Sequence, residues 1–293
     1  MRSEFAKAIQ ILSERDKKLI FLTGDLGFNA FENLRDSMGK RFINAGVAEQ
    51  NMIDIAAGMS YAGLNTWVYS IAPFLILKTV EQIRNDICQR NLPVKLVGNG
   101  GGYGYGIMGA THHILEDIAI LSNFPNMKIF VPAYDTDVKF VVEQMDNYKG
   151  PSYLRLGFST LKSNSYSAFR HVSNGNEITV VVLGPILRNV LEGLDENADI
   201  WVVSEIPIKL PQKFLKSVSK TKKLMVIEEH AENGGLGQQI ISALIVNNIK
   251  PKFKHLFAKN YPTKLYGSQA YHLKENGLDP SGIRRSYEKF SNE

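Results

Sequence analysis

Cysteine is nearly absent from this 293-residue chain. Cys88 stands alone, so an internal disulfide and a cysteine-based metal cluster are both excluded. Its place in an apolar helical pattern marks it as a small core residue. Long apolar runs are also missing. No stretch approaches the ~20 residues needed to span a bilayer. The opening Met1-Arg2-Ser3-Glu4-Phe5 turns at once into an amphipathic pattern, without the apolar core and small-residue cleavage site of a signal peptide. A cytoplasmic protein with no membrane partner is expected. Charge of one sign is scarce too, since 34 basic and 29 acidic residues leave a net charge of +5. The basic residues form small clusters, such as that between Lys216 and Lys223, and no long basic run is interleaved with aromatics. Nucleic acid is therefore not an expected partner. A mild positive balance suits a small anionic substrate. There is no Gly-Lys-Ser or Gly-Lys-Thr, hence no P-loop, and no internal repeat at solenoid periods.

What is present describes a soluble globular chain, 44% apolar and 22% charged, long enough for two ordinary domains. Apolar runs at Lys18–Leu22, near Phe42, and at Thr66–Ser70, Val94–Gly98, Met127–Val131 and Ser152–Leu156 read as strands. Helical patterns lie between them, including one long helix over Phe74–Gln89 and another over His112–Leu121. Strands alternating with helices imply a mostly parallel α/β sheet. From Gly157 to Glu177 the pattern becomes polar and irregular, as in a linker. A second α/β series follows, with strands at Ile178–Leu183, Asp199–Val203 and Leu224–Ile227. The expected fold is thus α/β in two domains, each a mostly parallel sheet with flanking helices: residues 1–160, a linker at 161–177, and residues 178–293.

The loops carry the chemistry. Arg41-Phe42-Ile43-Asn44-Ala45 leads into Gly46-Val47-Ala48-Glu49-Gln50-Asn51-Met52, then a small-residue helix. A carboxylate at such a junction is partly buried, and burial disfavours its charged form unless a partner shares the proton. The alternative is a Glu stabilised in the first helical turn by the dipole. The stretch from Gly98 to Gly106 is the most glycine-dense, and Gly104-x-Gly106-x-x-Gly109 matches the dinucleotide fingerprint in form. The preceding strand ends too far from Gly104 for a tight turn, and no strand-end acidic residue lies ~20 residues on. These glycines instead let the backbone lie against a ligand and bring Thr111-His112-His113 to a loop–helix junction beside free N–H groups. His112 and His113 there can contact substrate oxygens or shuttle protons; the alternative is one core or capping histidine and one exposed. No third histidine has helical spacing with the pair, and no metal site is expected. Arg155 ends the last strand of the first domain, where ligands of open α/β sheets bind. It suits a phosphate or carboxylate, or equally an ion pair between domains. Glu228-Glu229-His230, followed by Gly234-Gly235-Leu236-Gly237, reads as structural or interfacial. His171, His255 and His272 have no evident partners in the sequence.

Taken together, Gly24-Asp25-Leu26-Gly27, the Arg41–Met52 segment, Ala56-Ala57-Gly58-Met59 and Gly109-Ala110-Thr111-His112-His113 resemble the C-terminal half of the transketolase family. Pro125-Asn126-Met127, Val131-Pro132-Ala133 and Glu228-Glu229-His230 fit as well. The resemblance runs from about Met1 to about Leu244 in the family's order. It implies a pyrimidine-binding domain over 1–160 and a transketolase C-terminal domain over 178–293. It further implies that Glu49 hydrogen-bonds the aminopyrimidine ring of thiamine diphosphate, so that the cofactor's thiazolium carbon can lose its proton and attack a ketone. Phe74 would lie against the pyrimidine and Asp25 in a loop approaching the cofactor. His112 would contact substrate oxygens with His113 beside it, and Arg155 a substrate phosphate. The implied reaction moves a two-carbon ketol unit from a ketose (phosphate) to an aldehyde or related carbonyl acceptor.

The chain departs from the family in two ways. It carries no Gly-Asp-Gly followed some way on by Asn-Asn, the family's magnesium–diphosphate signature. A separate N-terminal pyrophosphate-domain subunit is therefore expected to hold the diphosphate and Mg²⁺, in an α2β2 heterotetramer with sites between chains. Second, Gly100 and Met108 stand where relatives acting on common sugar phosphates carry a histidine and an acidic residue. The loop is expected to be apolar and open, with Tyr103 and Tyr105, and pentose phosphates to be poor substrates. The competing readings are the β subunit of a 2-oxoacid dehydrogenase or decarboxylase, a non-catalytic subunit, and a dinucleotide oxidoreductase. Thr111-His112-His113 fits the transketolase branch better than the first, and intact Glu49 and His112 argue against the second.

Overall fold

A computed structural model describes residues 1–27, 30–259, 261 and 265–293. Apolar faces at Phe5, Ile9 and Leu12 make α1 (Arg2–Arg15) amphipathic, and it packs on the sheet begun by β1 (Leu19–Thr23). There follow α2 (Glu32–Met38), β2 (Phe42–Asn44), α3 (Glu49–Tyr61) and β3 (Asn65–Ile71). The helical stretch after β3 is not the single long helix expected over Phe74–Gln89. It runs as α4 (Ala72–Ile76), a 3₁₀ turn at Leu77–Thr79, α5 (Val80–Gln82) and a π-helical turn at Ile83–Cys88. The Thr79 hydroxyl donates to the Leu75 carbonyl, competing with the backbone ladder where the helix changes pitch. The domain closes with β4 (Lys95–Asn99), α6 (Asp117–Leu121), β5 (Lys128–Phe130), α7 (Asp137–Asn147) and β6 (Ser152–Leu156). The helix expected from His112 begins only at Asp117. Upstream, Gly102 and Ile114 exchange both backbone hydrogen bonds at 3.0 Å, which forces that chain into an extended pair.

The second domain holds β7 (Phe169–Ser173), β8 (Ile178–Leu183), α8 (Leu187–Gly193), β9 (Ala198–Val203), β10 (Glu205–Ile206), α9 (Gln212–Thr221), β11 (Lys223–Ile227), α10 (Leu236–Val246), β12 (Lys252–Leu256), α11 (Gln269–Glu275) and α12 (Pro280–Ser291). Its sheet order is β12-β11-β8-β9-β7, parallel except for β7 at the edge. Strand β7 lies inside residues 161–177, where an irregular linker was expected. Polar neighbours conceal it, and its pairing with β9, with His171 stacked on Trp201 at 4.2 Å, supplies what local pattern does not.

The first sheet has the order β10-β5-β6-β4-β3-β1-β2. All its strands are parallel except β10, which crosses from the second domain to pair with β5. Alternation along the strands puts Phe21, Trp67 and Val97 on one face and Leu22, Val68 and Leu96 on the other. The first face packs on α1 and α7. The second belongs to a cluster that continues through Trp201, Phe214, Val226 and Leu236, so one apolar core joins the domains. Among the described residues no helix is long and apolar enough to cross a membrane.

The register aligns Thr23 with Asn44 and Tyr69, and Asn99 with Ile71 and Leu156. The loops after β1, β2, β3, β4 and β6 therefore leave the sheet side by side. The chain steps from β1 to β2 on one side and to β3 on the other, which opens a crevice at this carboxyl edge.

Candidate active site

Asn44, the last residue of β2, shapes the bottom of the crevice. Its Oδ1 accepts the Asp25 N–H at 2.9 Å and the Gly46 N–H at 3.0 Å, while its Nδ2 donates to Asp25 Oδ1 at 3.0 Å. Asp25, at φ +56°, thus turns the backbone back beside the next loop. Glu49 opens α3, yet Ala48 is the N-cap and no side-chain cap bond forms. The Glu49 carboxylate is instead turned into the crevice, 4% exposed, with Lys78 Nζ 3.3 Å from Oε2. A Cβ on Gly24 would stand 3.3 Å from the Gly46 carbonyl, a tight approach, and 3.9 Å from Glu49 Oε1, an ordinary contact.

Helix α4 contributes Phe74 to the same edge. Lys78, one turn along, lies 4.6 Å from the Phe74 ring centroid. The His112 ring meets Phe74 edge-on at 5.0 Å, and His112 Nδ1 is 3.0 Å from the Thr111 hydroxyl. Tyr105 follows, 6.2 Å from His112, its hydroxyl accepting from Asn99 Nδ2 at 2.7 Å. Glu49, Lys78, Phe74, His112 and Tyr105 therefore form a continuous row. Lys78 and Asn99 were missed in the sequence. Lys78 was legible as the i+4 neighbour of Phe74, and Asn99 as a polar residue ending a strand.

Three expectations need correction. His113 does not face the crevice with His112. It is buried, 3.0 Å by Nε2 from the Gly106 carbonyl and edge-on to Tyr103 at 5.3 Å. Burial pushes its pKa below the ordinary histidine value, so the neutral ring donates to Gly106. Arg155 is likewise turned inward. Its Nε donates to Asp117 Oδ2 at 2.9 Å, and Nη2 to the carbonyls of Ile114 at 3.2 Å and Glu229 at 3.0 Å. A guanidinium so engaged ties the domains together and is not offered to a phosphate. Nor is the glycine loop simply open. Tyr103 is fully buried, and a Cβ on Gly100 would lie 2.3 Å from the Tyr105 ring. Tyr105 fills the volume a larger residue at 100 would need, while Met108 remains exposed.

The carboxyl edge of the second sheet is used internally. Glu228 accepts from the N–H groups of Leu236 at 2.8 Å and Gly237 at 2.9 Å, closing the start of α10, and lies 2.7 Å from His255 Nε2. His230 Nε2 accepts the Ala119 N–H at 3.3 Å.

The row in the first domain fits an aminopyrimidine: a buried carboxylate for a ring nitrogen and an aromatic face beside it. Among the described residues no group of three or more His, Cys, Asp or Glu is arranged to hold a metal ion.

Comparison with known proteins gives two family matches. "Transketolase, pyrimidine binding domain" matches residues 1–162 and "Transketolase, C-terminal domain" residues 168–283. A subunit of the apulose-4-phosphate transketolase of Phocaeicola vulgatus is 26% identical over 304 residues, with 99% of this chain and 96% of the relative covered. A putative transketolase C-terminal section of Methanocaldococcus jannaschii is 29% identical, with 97% and 94% covered. A solved split-gene transketolase, described as an inactive β4 tetramer, superposes with a TM-score of 0.87 at 26% identity, covering 99% of this chain and 98% of the other.

Proposed function

We propose that this chain, which belongs to the transketolase family, is the C-terminal (β) subunit of a split, cytoplasmic, thiamine diphosphate-dependent transferase. It would move a two-carbon ketol unit from a ketose phosphate to an aldehyde or related carbonyl acceptor. The observation that carries this reading is the Glu49 carboxylate, buried in an open crevice with Phe74 and His112 beside it.

Thiamine diphosphate, when bound, supplies the carbon nucleophile and the electron sink for C–C cleavage. Glu49 would hydrogen-bond the pyrimidine and hold the proton at the ring nitrogen. Lys78 Nζ, on a half-exposed side chain at Oε2, is the group that nitrogen would displace. Phe74 would set the ring plane. His112, half-buried and anchored through Nδ1 to Thr111, leaves Nε2 for a substrate oxygen. Asp25 enters through its loop: its bonds to Asn44 fix the backbone next to Glu49. His113 and Arg155 support the loop from inside and do not contact substrate.

The diphosphate and Mg²⁺ would be held by a partner subunit carrying the Gly-Asp-Gly and Asn-Asn signature that this sequence lacks, in an α2β2 assembly with shared sites. That the Phocaeicola vulgatus relative is itself one subunit of a transketolase supports that arrangement. With Gly100 and Met108 in place of sugar-reading polar groups, the linear pentose phosphates xylulose 5-phosphate and ribose 5-phosphate should be poor substrates. Apulose 4-phosphate, named in that relative, is a first donor to try.

Calorimetric titration of thiamine diphosphate with Mg²⁺, into this chain alone and mixed with a candidate pyrophosphate-domain subunit, tests the reading. Tight binding is expected only in the mixture. Binding to the chain alone would overturn the split site. Absence of binding with every such subunit would overturn the catalytic assignment.

A further inference from the structure

We propose that the second domain positions His112 by clamping the Gly102–Ile114 loop from beneath, with Glu229, Gln269 and His272 as the positioning residues. The proposal rests on the reading of His112 as substrate-facing, but it is carried by different contacts. The loop is rich in glycine, and such backbone loses much conformational freedom when ordered. Something must offset that cost, because misplacement of a substrate-contacting group by an ångström lowers rates severely.

Within the first domain the loop is held at its stem by the Gly102–Ile114 pair, and at its tip by the Asn99–Tyr105 bond and the Phe74–His112 contact. Inside it, His113 bonds the Gly106 carbonyl and Arg155 the Ile114 carbonyl, and a further set of contacts comes from the other domain. Glu229 Oε1 accepts the Tyr103 N–H at 2.8 Å, and both its oxygens accept from Gln269 Nε2 at 2.9 and 3.0 Å. The Tyr103 ring stacks on His272 at 5.2 Å, and its hydroxyl accepts from Asn276 at 3.2 Å. The His113 ring, next in sequence to His112, stands against both Tyr103 and His272, at 5.3 and 5.0 Å.

Backbone proximity completes the clamp. A Cβ on Gly106 would stand 2.5 Å from the Gln269 nitrogen and the Gly267 carbonyl oxygen. Gly109, whose carbonyl accepts the His112 N–H at 2.9 Å, lies under the Tyr266 ring, with φ +79° and a Cβ distance of 2.7 Å. Glycine at 106 and 109 thus admits α11 and the segment before it to within contact of the turn that carries His112. A substrate-side histidine is held through its immediate neighbours by side chains of a domain that offers no residue to the row itself.

Hydrogen–deuterium exchange of the full chain tests this without cofactor or partner, so its failure is separable from failure of the thiamine diphosphate titration. Gln269→Ala and His272→Ala should speed exchange of amides between 102 and 114 by about tenfold or more. Peptides holding Asp25 and Glu49 should stay at the wild-type rate. Phe290→Ala, which removes a buried ring from α12 in the same domain, should loosen α12 and α8 and leave the loop unchanged. In the reconstituted enzyme the clamp variants should lower kcat while thiamine diphosphate affinity holds. Loop exchange equal to wild type in Gln269→Ala, or raised equally by Phe290→Ala, overturns the proposal. Gln269 is only partly buried, so that variant carries the test if His272→Ala does not fold.

Discussion

The two sheets end in edges of the same topological kind that are put to opposite uses. At the carboxyl edge of the first, Glu49, Lys78, Phe74 and His112 face an open crevice, and the Glu49 carboxylate has one charged partner on a half-exposed side chain. At the carboxyl edge of the second, the carboxylates of Glu228 and Glu229 are buried and fully engaged by helix N–H groups, His255, Gln269 and the neighbouring domain. The difference lies in how the chain leaves each strand. After β11 the Gly234-Gly235 turn folds α10 back so closely that a Cβ on Gly235 would meet Glu228 Oε1 at 2.6 Å. After β2 the helix begins at Glu49 itself, so its N–H groups cannot close over that carboxylate. A polar group at a strand end becomes a site only when the chain leaves part of its bonding capacity unused.

The comparison is broken most directly at the two glutamates. Glu49→Ala should lower transferase activity of the reconstituted enzyme by about 10²–10⁴-fold while thermal unfolding stays near wild type; retained turnover would remove Glu49 from the chemistry. Glu228→Gln should do the reverse. Disturbing a carboxylate that closes the start of α10 costs on the order of 1.5–3 kcal/mol, seen as a lower denaturant midpoint with unchanged kcat per folded molecule. A loss of kcat without loss of stability would mean that the second edge is also catalytic.

Smaller effects sharpen the picture. Phe74→Ala removes one aromatic face and should weaken thiamine diphosphate binding in the assembled enzyme by about tenfold, measured by the same titration; unchanged affinity would place the pyrimidine elsewhere. The mildest effect is that of pH. Burial, with His272 and His112 nearby, pushes the His113 pKa down, although its bond to Gly106 opposes this. The folded state then binds fewer protons than the unfolded one. The stability this contributes is complete above the ordinary value of about 6.5 and is lost as pH falls through the lower folded value. Melting temperature should therefore drop on acidification below about pH 6.5 more steeply in wild type than in His113→Phe. Equal slopes would show that His113 is not the group responsible.

Much of the fold was legible because its signals are local. The mainly apolar runs Leu19–Thr23, Ser152–Leu156 and Ile178–Leu183 are strands covered on both faces, as parallel sheets require. Strand β10 escaped detection because two residues carry no period, and β7 because its partner β9 lies far along the chain. In the site, Glu49 and His112 stood out from their junctions and motifs, and Phe74 only through the family resemblance. Arg155 stood out from its strand-end position and turned inward, because Asp117 and the carbonyls of Ile114 and Glu229 reach it first.

The amino-acid order by itself determined the alternating α/β plan, the division into two sheets and the junctions at which Glu49 and Glu228 fall. Those features follow from hydrophobic period and from glycines, both properties of neighbouring residues. Which of the two adjacent histidines faces the crevice, whether Arg155 meets a ligand or the other domain, and which sheet edge stays open were decided only by the tertiary structure. Each depends on which donors and acceptors distant segments bring within about 3 Å. A linear chain does not record that competition for hydrogen-bond partners; packing settles it.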